Sequence, residues 1–563
     1  MRLGLGLGIS RNDGGPAMSL NFLSPFLDPR ITFSRGSNAT LVDATGKITY
    51  APANLLTYSE DFTNAAWVTS FATVTADSAV APDGTTTADL LTSSGDGRTR
   101  QGVACAGSTT YIGSVWLRVT SGTASINLYR TDNSTGFDTT AAAVTTTWQR
   151  FSIKGTTAAA ATVANLQIGG NSSFSSGSTL LIWGAQLEPV TYQTTPSTYV
   201  ATTTSAYYGP RFDYDPVTLA PKGLLIEEQR VNLLTYSDQF DNAAWSKINC
   251  TVTTNATTSP DGTTNAEKLI VTNALSTGNV SQIPTLAAST AYTETVFAKK
   301  GEWNWVALET RGEVGDPLLA WFNLNTGVVG TVNVGATATI TNFGNGWYRC
   351  SLTRTTGATT TSPRARVYAT NADAVLSTGD GTSGIFIYGA QLEAGSFATS
   401  YIPTVASTVT RSADVATMTG TNFSSWYNQS EGTVVTNFDT AIGSAALGVV
   451  FGGGSNVLQT RVEGGRARSG IRAVVDLITG TGPTVSMPGS SSVASAYKSG
   501  DNAIAANGGT AVTSSVTFTA TGGALVGLGF DSLTNTNWIN GHIRAIAYYN
   551  TRLPNVQLVS LTT

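Results

Sequence analysis

Apolar and polar residues alternate along much of this chain with a period of two. Tyr111 to Leu117 and Tyr292 to Ala298 interleave apolar side chains with small or polar ones. That is the pattern of a half-buried strand. Leu180-Leu181-Ile182-Trp183 and Ile385-Phe386-Ile387-Tyr388 are continuous apolar runs, as expected near the middle of a sheet. No stretch sustains the 3.6-residue period of a long helix. Pro82-Asp83-Gly84 and Pro260-Asp261-Gly262 read as turns with a mechanism. Proline sets φ, aspartate bonds back to the backbone and glycine takes a positive φ. The pattern predicts an all-β chain of short antiparallel strands.

The same pattern occurs twice. Asn54-Leu55-Leu56-Thr57-Tyr58-Ser59 recurs as Asn232-Leu233-Leu234-Thr235-Tyr236-Ser237, and Asn64-Ala65-Ala66-Trp67 as Asn242-Ala243-Ala244-Trp245. These blocks and the Pro-Asp-Gly turns all lie 178 residues apart. Trp148-Gln149-Arg150 answers Trp347-Tyr348-Arg349, and Gly184-Ala185-Gln186-Leu187-Glu188 answers Gly389-Ala390-Gln391-Leu392-Glu393. The last pair is 205 residues apart, so copy two carries 27 extra residues, expected in loops. Each copy has the size of one β-sandwich domain rather than of a solenoid repeat.

The predicted division is therefore tandem antiparallel β-sandwich (jelly-roll) domains. Residues 1–52 form an amino-terminal docking segment and connector, 53–203 repeat 1, 204–230 a connector and 231–412 repeat 2. Residues 413–563 form a third, separate sandwich, with the strand from Trp538 to Tyr549 in its interior. Arg30-Ile31-Thr32-Phe33 and Arg211-Phe212-Asp213-Tyr214 read as connectors that pack on the domain that follows each.

Composition narrows the classes. Charged residues are only 12% of the 563, and the net charge is −4. No Lys/Arg-rich run occurs, so the footprint of a nucleic-acid binder is missing. No run of 18 apolar residues offers a membrane-spanning helix. Met1 to Ile9 superficially looks like a signal peptide. Its apolar part is short, half glycine and lacks a small-x-small cleavage site, so the protein is expected to mature in the cytoplasm where it is made. Cys105, Cys250 and Cys350 are too few and too scattered for a disulfide framework or a zinc site. They read as reduced, half-buried thiols, with an intermolecular disulfide as the alternative.

The carboxyl end, Trp538-Ile539-Asn540-Gly541-His542-Ile543 through Tyr548-Tyr549-Asn550-Thr551-Arg552-Leu553 and a short helical piece, resembles the close of laminin G-like (concanavalin A-like) domains. The two repeats resemble carbohydrate-binding-module jelly rolls. The whole order resembles structural proteins of tailed bacteriophages, through Asp28-Pro29-Arg30-Ile31-Thr32-Phe33-Ser34-Arg35 and Pro221-Lys222-Gly223-Leu224-Leu225-Ile226-Glu227-Glu228-Gln229-Arg230. That resemblance implies a non-catalytic virion component such as a fibre, spike, collar or decoration. Its implied partners are other virion proteins, sister chains (a trimer is favoured) and host-surface glycans. A bacterial cell-surface carbohydrate-binding protein and a phage polysaccharide depolymerase are the alternatives.

Candidate chemistry is sparse. His542 is the only histidine, so a Ser-His-Asp or Cys-His arrangement would have to use it. It reads as structural, in an edge or penultimate strand. Glu60, Asp61 and Glu188, with Asp238 and Glu393 in copy two, are weak calcium candidates, because the first and last strands of a jelly roll often lie side by side. The competing reading is that they cap turns or pair with nearby cations. Trp67, Trp148, Trp245 and Trp347 recur between copies and read as core. Trp303, Trp305 and Trp321 have little counterpart in copy one and read as the ligand-contact candidates. Gly452-Gly453-Gly454 is a turn rather than a phosphate loop, since no Lys-Ser/Thr follows. Leu3, Leu5, Leu7 and Ile9 alternate with glycines, a strand suited to docking on an open sheet edge.

Overall fold

The computed structural model describes residues 15–563 apart from 171, 273–274, 314, 316, 444–446, 453–456, 472–474, 479–481 and 520–521. Leu3, Leu5, Leu7 and Ile9 lie outside the described residues, as do Gly453 and Gly454. The protein is all-β, with 51% of residues in strands and 2% in helices. Every strand pair among the described residues is antiparallel.

The repeats are built alike. Asn54 Nδ2 donates to Ala185 O (3.0 Å) and Val200 O (2.9 Å), and Asn232 Nδ2 donates to Ala390 O (3.1 Å) and Ile402 O (2.9 Å). The opening asparagine thus clamps the closing Gly-Ala-Gln-Leu-Glu strand, which explains why the two motifs recur together. Gly184 and Gly389 sit in a β-bulge of that strand at φ 64° and 61°. A Cβ on Gly184 would meet Trp116 at 3.1 Å and Tyr199 at 3.3 Å, so glycine is required there. Trp67 and Trp245 each donate from Nε1 to the carbonyl of Tyr58 or Tyr236 and pack on Phe62 or Phe240. Most of the extra length of repeat 2 is not loop. Pro317–Asn323, Val328–Val332 and Ala336–Asn342 stand where repeat 1 has the single strand Phe137–Val144. The added polypeptide satisfies its backbone by pairing into both sheets.

The third sandwich departs from the expected division. Its seven-stranded sheet runs Thr32–Ser34, Val415–Thr419, Leu525–Leu528, Leu447–Gly452, Leu458–Glu463, Arg466–Ile471 and Val475–Ile478. The opposing eight-stranded sheet is centred on Gly541–Tyr549. One edge of that strand pairs with Glu431–Thr440. The other edge pairs with Pro221–Ile226 and, further along, with Met18–Asn21. Met18, Leu20, Phe22, Ile31, Leu224 and Ile226 belong to its core. The connectors Arg30–Phe33 and Arg211–Tyr214 therefore pack on the last sandwich, not on the domain that follows each. They contribute apolar side chains that residues 413–563 alone lack. His542 accordingly lies in an interior strand rather than at an edge.

Each repeat is consequently looped out of one composite base. Ala53–Asn54 pairs with Tyr207–Tyr208 where repeat 1 leaves and returns, and Arg230–Asn232 pairs with Val409–Arg411 at repeat 2. A buried ion cluster sits where these crossings meet. Arg35 donates to Asp414 Oδ1 (2.9 Å). Arg211 pairs with Asp414 and with Glu227 (2.7 Å), and Arg411 pairs with Glu227. Ser400 donates its N–H and hydroxyl to Glu227 at 2.8 and 2.7 Å. The side chains are 0–7% exposed. Burial would raise the Glu227 pKa, but Arg411 and Arg211 outweigh it and hold the carboxyl well below its ordinary value. Desolvation brings Arg35 down to about 10, against the pull of Asp414.

Two outcomes follow from this base. Asp414→Ala strands Arg35 and Arg211 without a shared carboxylate, and should cost about 3–5 kcal/mol in chemical denaturation. A fragment of residues 413–563 should give no cooperative melt, because it lacks four strands of its own sandwich.

Candidate functional site

The two faces of each repeat are set by strand parity. In repeat 1, Ile126, Leu128, Leu166 and Ile168 point into the core. Their neighbours Asn127, Asn165 and Gln167 therefore line the outer face, with Tyr129 buried beside them at 1% exposure. Register places Gln167 between Arg100 and Tyr129, and Asn165 between Gly102 and Thr131; Thr131 in turn faces Phe137. The face spans five strands from Val68–Ala79 to Phe137–Val144, about 19 Å across at four strand spacings. Phe137 is 59% exposed and stands 5.3 Å from the Tyr129 ring. Phe71, 61% exposed, closes the other end with the Arg98 guanidinium 5.7 Å from its centroid.

Polar groups between these aromatics are held in place. Asn127 donates to the Tyr129 hydroxyl (2.9 Å), Gln167 to Gly169 O (3.1 Å) and Asn165 to Thr131 O (3.3 Å). Each of these amides keeps free hydrogen-bonding capacity. Arg100 is exposed and has no side-chain partner among the described residues. Rings flanking a row of amides and a guanidinium suit a flat, hydroxyl-rich ligand. Pyranose rings can stack on the aromatics, and their hydroxyls can pair with the amides.

The same face of repeat 2 is closed. Glu309 accepts from Arg366 (2.8 Å) and from the Tyr368 hydroxyl (2.6 Å). Trp321 donates to Val375 O (3.0 Å), so the 371–378 loop lies over the sheet, with Leu376 packed on it. Trp321 is only 6% exposed and Tyr368 4%. Trp303, at 8%, is in the core between the sheets, and Trp305 is half-buried beside Trp321. Of the three tryptophans proposed as ligand contacts, two are thus buried, Trp303 between the sheets and Trp321 under the 371–378 loop. In repeat 1 the loop turns the other way. Phe174 enters the core, and the face stays open. Phe137 and Phe71 were missed because strand parity cannot be read until the register is known.

The calcium candidates do not converge. Glu188 accepts from Ser197 N (2.7 Å), Ser197 Oγ (2.6 Å) and Gln186 (3.1 Å), while Glu60 accepts from Tyr199 (3.1 Å) and Asp61 from Thr63. In repeat 2, Glu393 repeats the Glu188 pattern with Thr399 and Gln391. Asp238, raised to about 6 by burial and by Asp261, sits apart from it. Among the described residues no three His, Cys, Asp or Glu side chains are grouped to hold a metal. Cys105 and Cys250 are half-buried and raised to about 11 by burial, and Cys350 is fully buried.

A cleft of about 730 Å³ separates repeat 2 from the base, lined by Thr339, Arg349, Asp439, His542 and Arg544. His542 is fixed on both sides. Nδ1 meets Asp439 Oδ1 and Nε2 meets Asp213 Oδ2, each at 2.8 Å. It has no free nitrogen with which to take a proton from a substrate.

No protein-family profile matches the sequence, and no curated protein matches it. Among solved structures, the tandem CBM22-1-CBM22-2 domain of Paenibacillus barcinonensis Xyn10C is 11% identical over 65% of this chain and 100% of its own, at a TM-score of 0.21. The LG1-3 region of the laminin alpha2 chain is 9% identical over 81% and 96%, at 0.17. A Trypanosoma rangeli sialidase is 9% identical over 94% and 93%, at 0.22.

His542 generates a pH prediction. Burial and Lys222 push its pKa down, but Asp439 and Asp213 outweigh them, and it stands above the ordinary 6.5. The stability it contributes is full below about pH 6.5 and is lost as pH rises through the elevated pKa. Asp439, held at about 2, contributes above about pH 4 and loses that as pH falls. Denaturation curves from about pH 6 to about pH 9 should fall for the native protein and be flatter for His542→Gln.

Proposed function

We propose that this chain is a non-catalytic glycan-binding protein that reads host-surface glycans through the open face of repeat 1. We place it as an exposed fibre, spike or decoration component of a bacteriophage particle. The observation that carries the binding reading is the contrast between duplicated faces. Repeat 1 keeps Phe137 and Arg100 exposed and Gln167 partly so, whereas repeat 2 covers the equivalent surface with its own 371–378 loop. A merely structural duplication has no need to leave a large ring 59% exposed. Repeat 1 is also an insertion whose ends meet at Ala53 and Tyr208, the geometry of a displayed module.

The virion reading rests on the sequence resemblance carried by residues 28–35 and 221–230. Its partners would be other virion proteins, and it would be made in the host cytoplasm. A bacterial cell-surface carbohydrate-binding protein would use the same face. Peptide mass spectrometry of purified particles separates the two, since only a virion component co-purifies at constant stoichiometry.

Binding is tested by titrating the purified protein with host capsule and lipopolysaccharide oligosaccharides. Phe137→Ala and Phe71→Ala should each weaken binding by about tenfold, and Trp305→Ala should leave it unchanged. No sugar should be released on prolonged incubation. Equal binding by all three variants, or turnover of the polysaccharide, contradicts the proposal.

A further inference from the structure

Repeat 2 is covered over much of both sheets, and one corner that stays open holds a pair of like charges. The hairpin Thr40–Val42/Ile48–Tyr50 seats Ile48 among Phe297, Trp347, Tyr388 and Tyr401 on one sheet. On the other sheet the 371–378 loop covers Trp321 and Tyr368. Ala307 faces Trp321, and Arg311 stands four residues further along the same strand, about 13 Å away. Arg311 is half-buried and lies directly opposite Arg364, also half-buried, in the strand pair Trp305–Arg311/Arg364–Thr370. Arg366 is the next residue on the same face of its strand.

Like charges opposite one another destabilise a sheet. Repeat 1 does not carry that cost. Thr131 and Asn165 hold the same two positions there, and Asn165 Nδ2 donates to Thr131 O (3.3 Å). In repeat 2 no carboxylate relieves the pair. Glu309, 3% exposed, is taken by Arg366 (2.8 Å) and by the Tyr368 hydroxyl (2.6 Å). Glu313 accepts from Thr359 N (3.1 Å) and Oγ1 (2.6 Å).

Among the described residues the bonds of Arg311 and Arg364 are to neutral oxygens. Arg311 donates to Ser362 O and Oγ, each at 3.2 Å, and Arg364 to Pro363 O at 2.9 Å. Each guanidinium keeps N–H donors beyond these. Burial, then the charges of Arg311 and Arg366, hold the Arg364 pKa below its ordinary value. The corner is thus cationic in a chain whose net charge is −4.

We infer that Arg311 and Arg364 form an oxyanion subsite on repeat 2, which takes a phosphate or carboxylate substituent carried on a host-surface glycan. Adjacent guanidiniums present N–H forks that match the oxygens of either group. A bound oxyanion cancels the repulsion that the free protein retains. The oxyanion is read from the guanidinium pair alone, whereas the glycan that carries it rests on the proposed function above.

Thermal unfolding of the full-length chain in inorganic pyrophosphate, against chloride at equal ionic strength, tests the subsite. Arg364→Gln removes one of two like charges, so in chloride it should melt about 2 °C above the native protein. Pyrophosphate should raise the native melting temperature and leave that of Arg364→Gln unmoved. A lower melting temperature for Arg364→Gln in chloride, a native protein indifferent to pyrophosphate, or the same response from both overturns the inference and leaves the pair as a clamp on Ser362 and Pro363.

Titration identifies the carrier. The probes are a phosphorylated lipopolysaccharide-core oligosaccharide with its dephosphorylated form, and a glucuronate-containing capsule oligosaccharide with its carboxyl-reduced form. The native protein should bind the charged member of one pair about tenfold more tightly than the neutral member. The double variant Arg311→Gln, Arg364→Gln should bind both members equally, and the pair that discriminates names the substituent. Equal binding of charged and neutral members by the native protein overturns the glycan carrier, as does binding of duplex DNA but of none of the four sugars. Phe137→Ala should weaken all four sugars and keep the pyrophosphate response, so failure of the repeat 1 reading is distinguishable from failure of this one.

Discussion

Three guanidiniums and two carboxylates, almost without water around them, fix where this chain can cross itself. Arg35 comes from the segment before repeat 1, Arg211 and Glu227 from the connector between repeats, Arg411 from the exit of repeat 2 and Asp414 from the start of the last sandwich. No single segment can satisfy its own charge. Desolvating such groups is costly unless all partners arrive together, so the cluster forms only when the four segments are in register. The Arg211 and Arg411 Nε atoms remain without hydrogen-bond partners among the described residues. The cluster thus contributes specificity of assembly more than net stability, which comes from the apolar core that closes around it.

Above this base the duplicated modules have diverged under packing constraints that can be followed atom by atom. Repeat 1 buries Arg130 from the Ala124–Asp132 strand beside Asp132 and Asp138. Gly155 lies opposite, where a Cβ would meet Arg130 Nε at 2.7 Å. Repeat 2 has Thr310 in place of Arg130, and Arg354 in place of Gly155, with Arg354 Nη1 on Thr310 O (3.4 Å). One buried guanidinium has moved to the facing strand while the space stayed filled. The outer faces diverged further. In repeat 2 a loop and a hairpin cover both sheets, and in repeat 1 neither does.

Much of the fold was legible in the sequence, because it depends on local signals. The period-two runs mark strands, and Gly84 and Gly262 take positive φ with Asp83 and Asp261 bonding forward to Thr85 and Thr263. The matched Asn54 and Asn232 blocks mark two copies of one domain. What the sequence hid is non-local. Met18–Asn21 is a four-residue strand that pairs with Ala545–Tyr548, more than five hundred positions away, and nothing in its composition names that partner. Trp148 and Trp347 have the same sequence context, yet one is half-buried and the other 2% exposed. The difference is Ile48, which lies nearer to Trp148 in sequence and packs on Trp347. The ion cluster had a fainter signal. In a chain with 12% charged residues, Arg35, Arg211 and Glu227 all fall in the short connectors.

The central claim is that repeat 1 is a displayed insertion in a base that folds without it. Ala53 and Tyr208 are paired neighbours at its root, the spacing a two-residue hairpin turn can bridge. The direct measurement is thermal unfolding of a chain in which residues 54–207 are replaced by Asn-Gly. A cooperative transition close to that of the native base, with glycan binding lost, is the expected result. A chain that is unfolded or aggregated after this excision would contradict the account, because repeat 1 would then be part of the scaffold it is said to stand on.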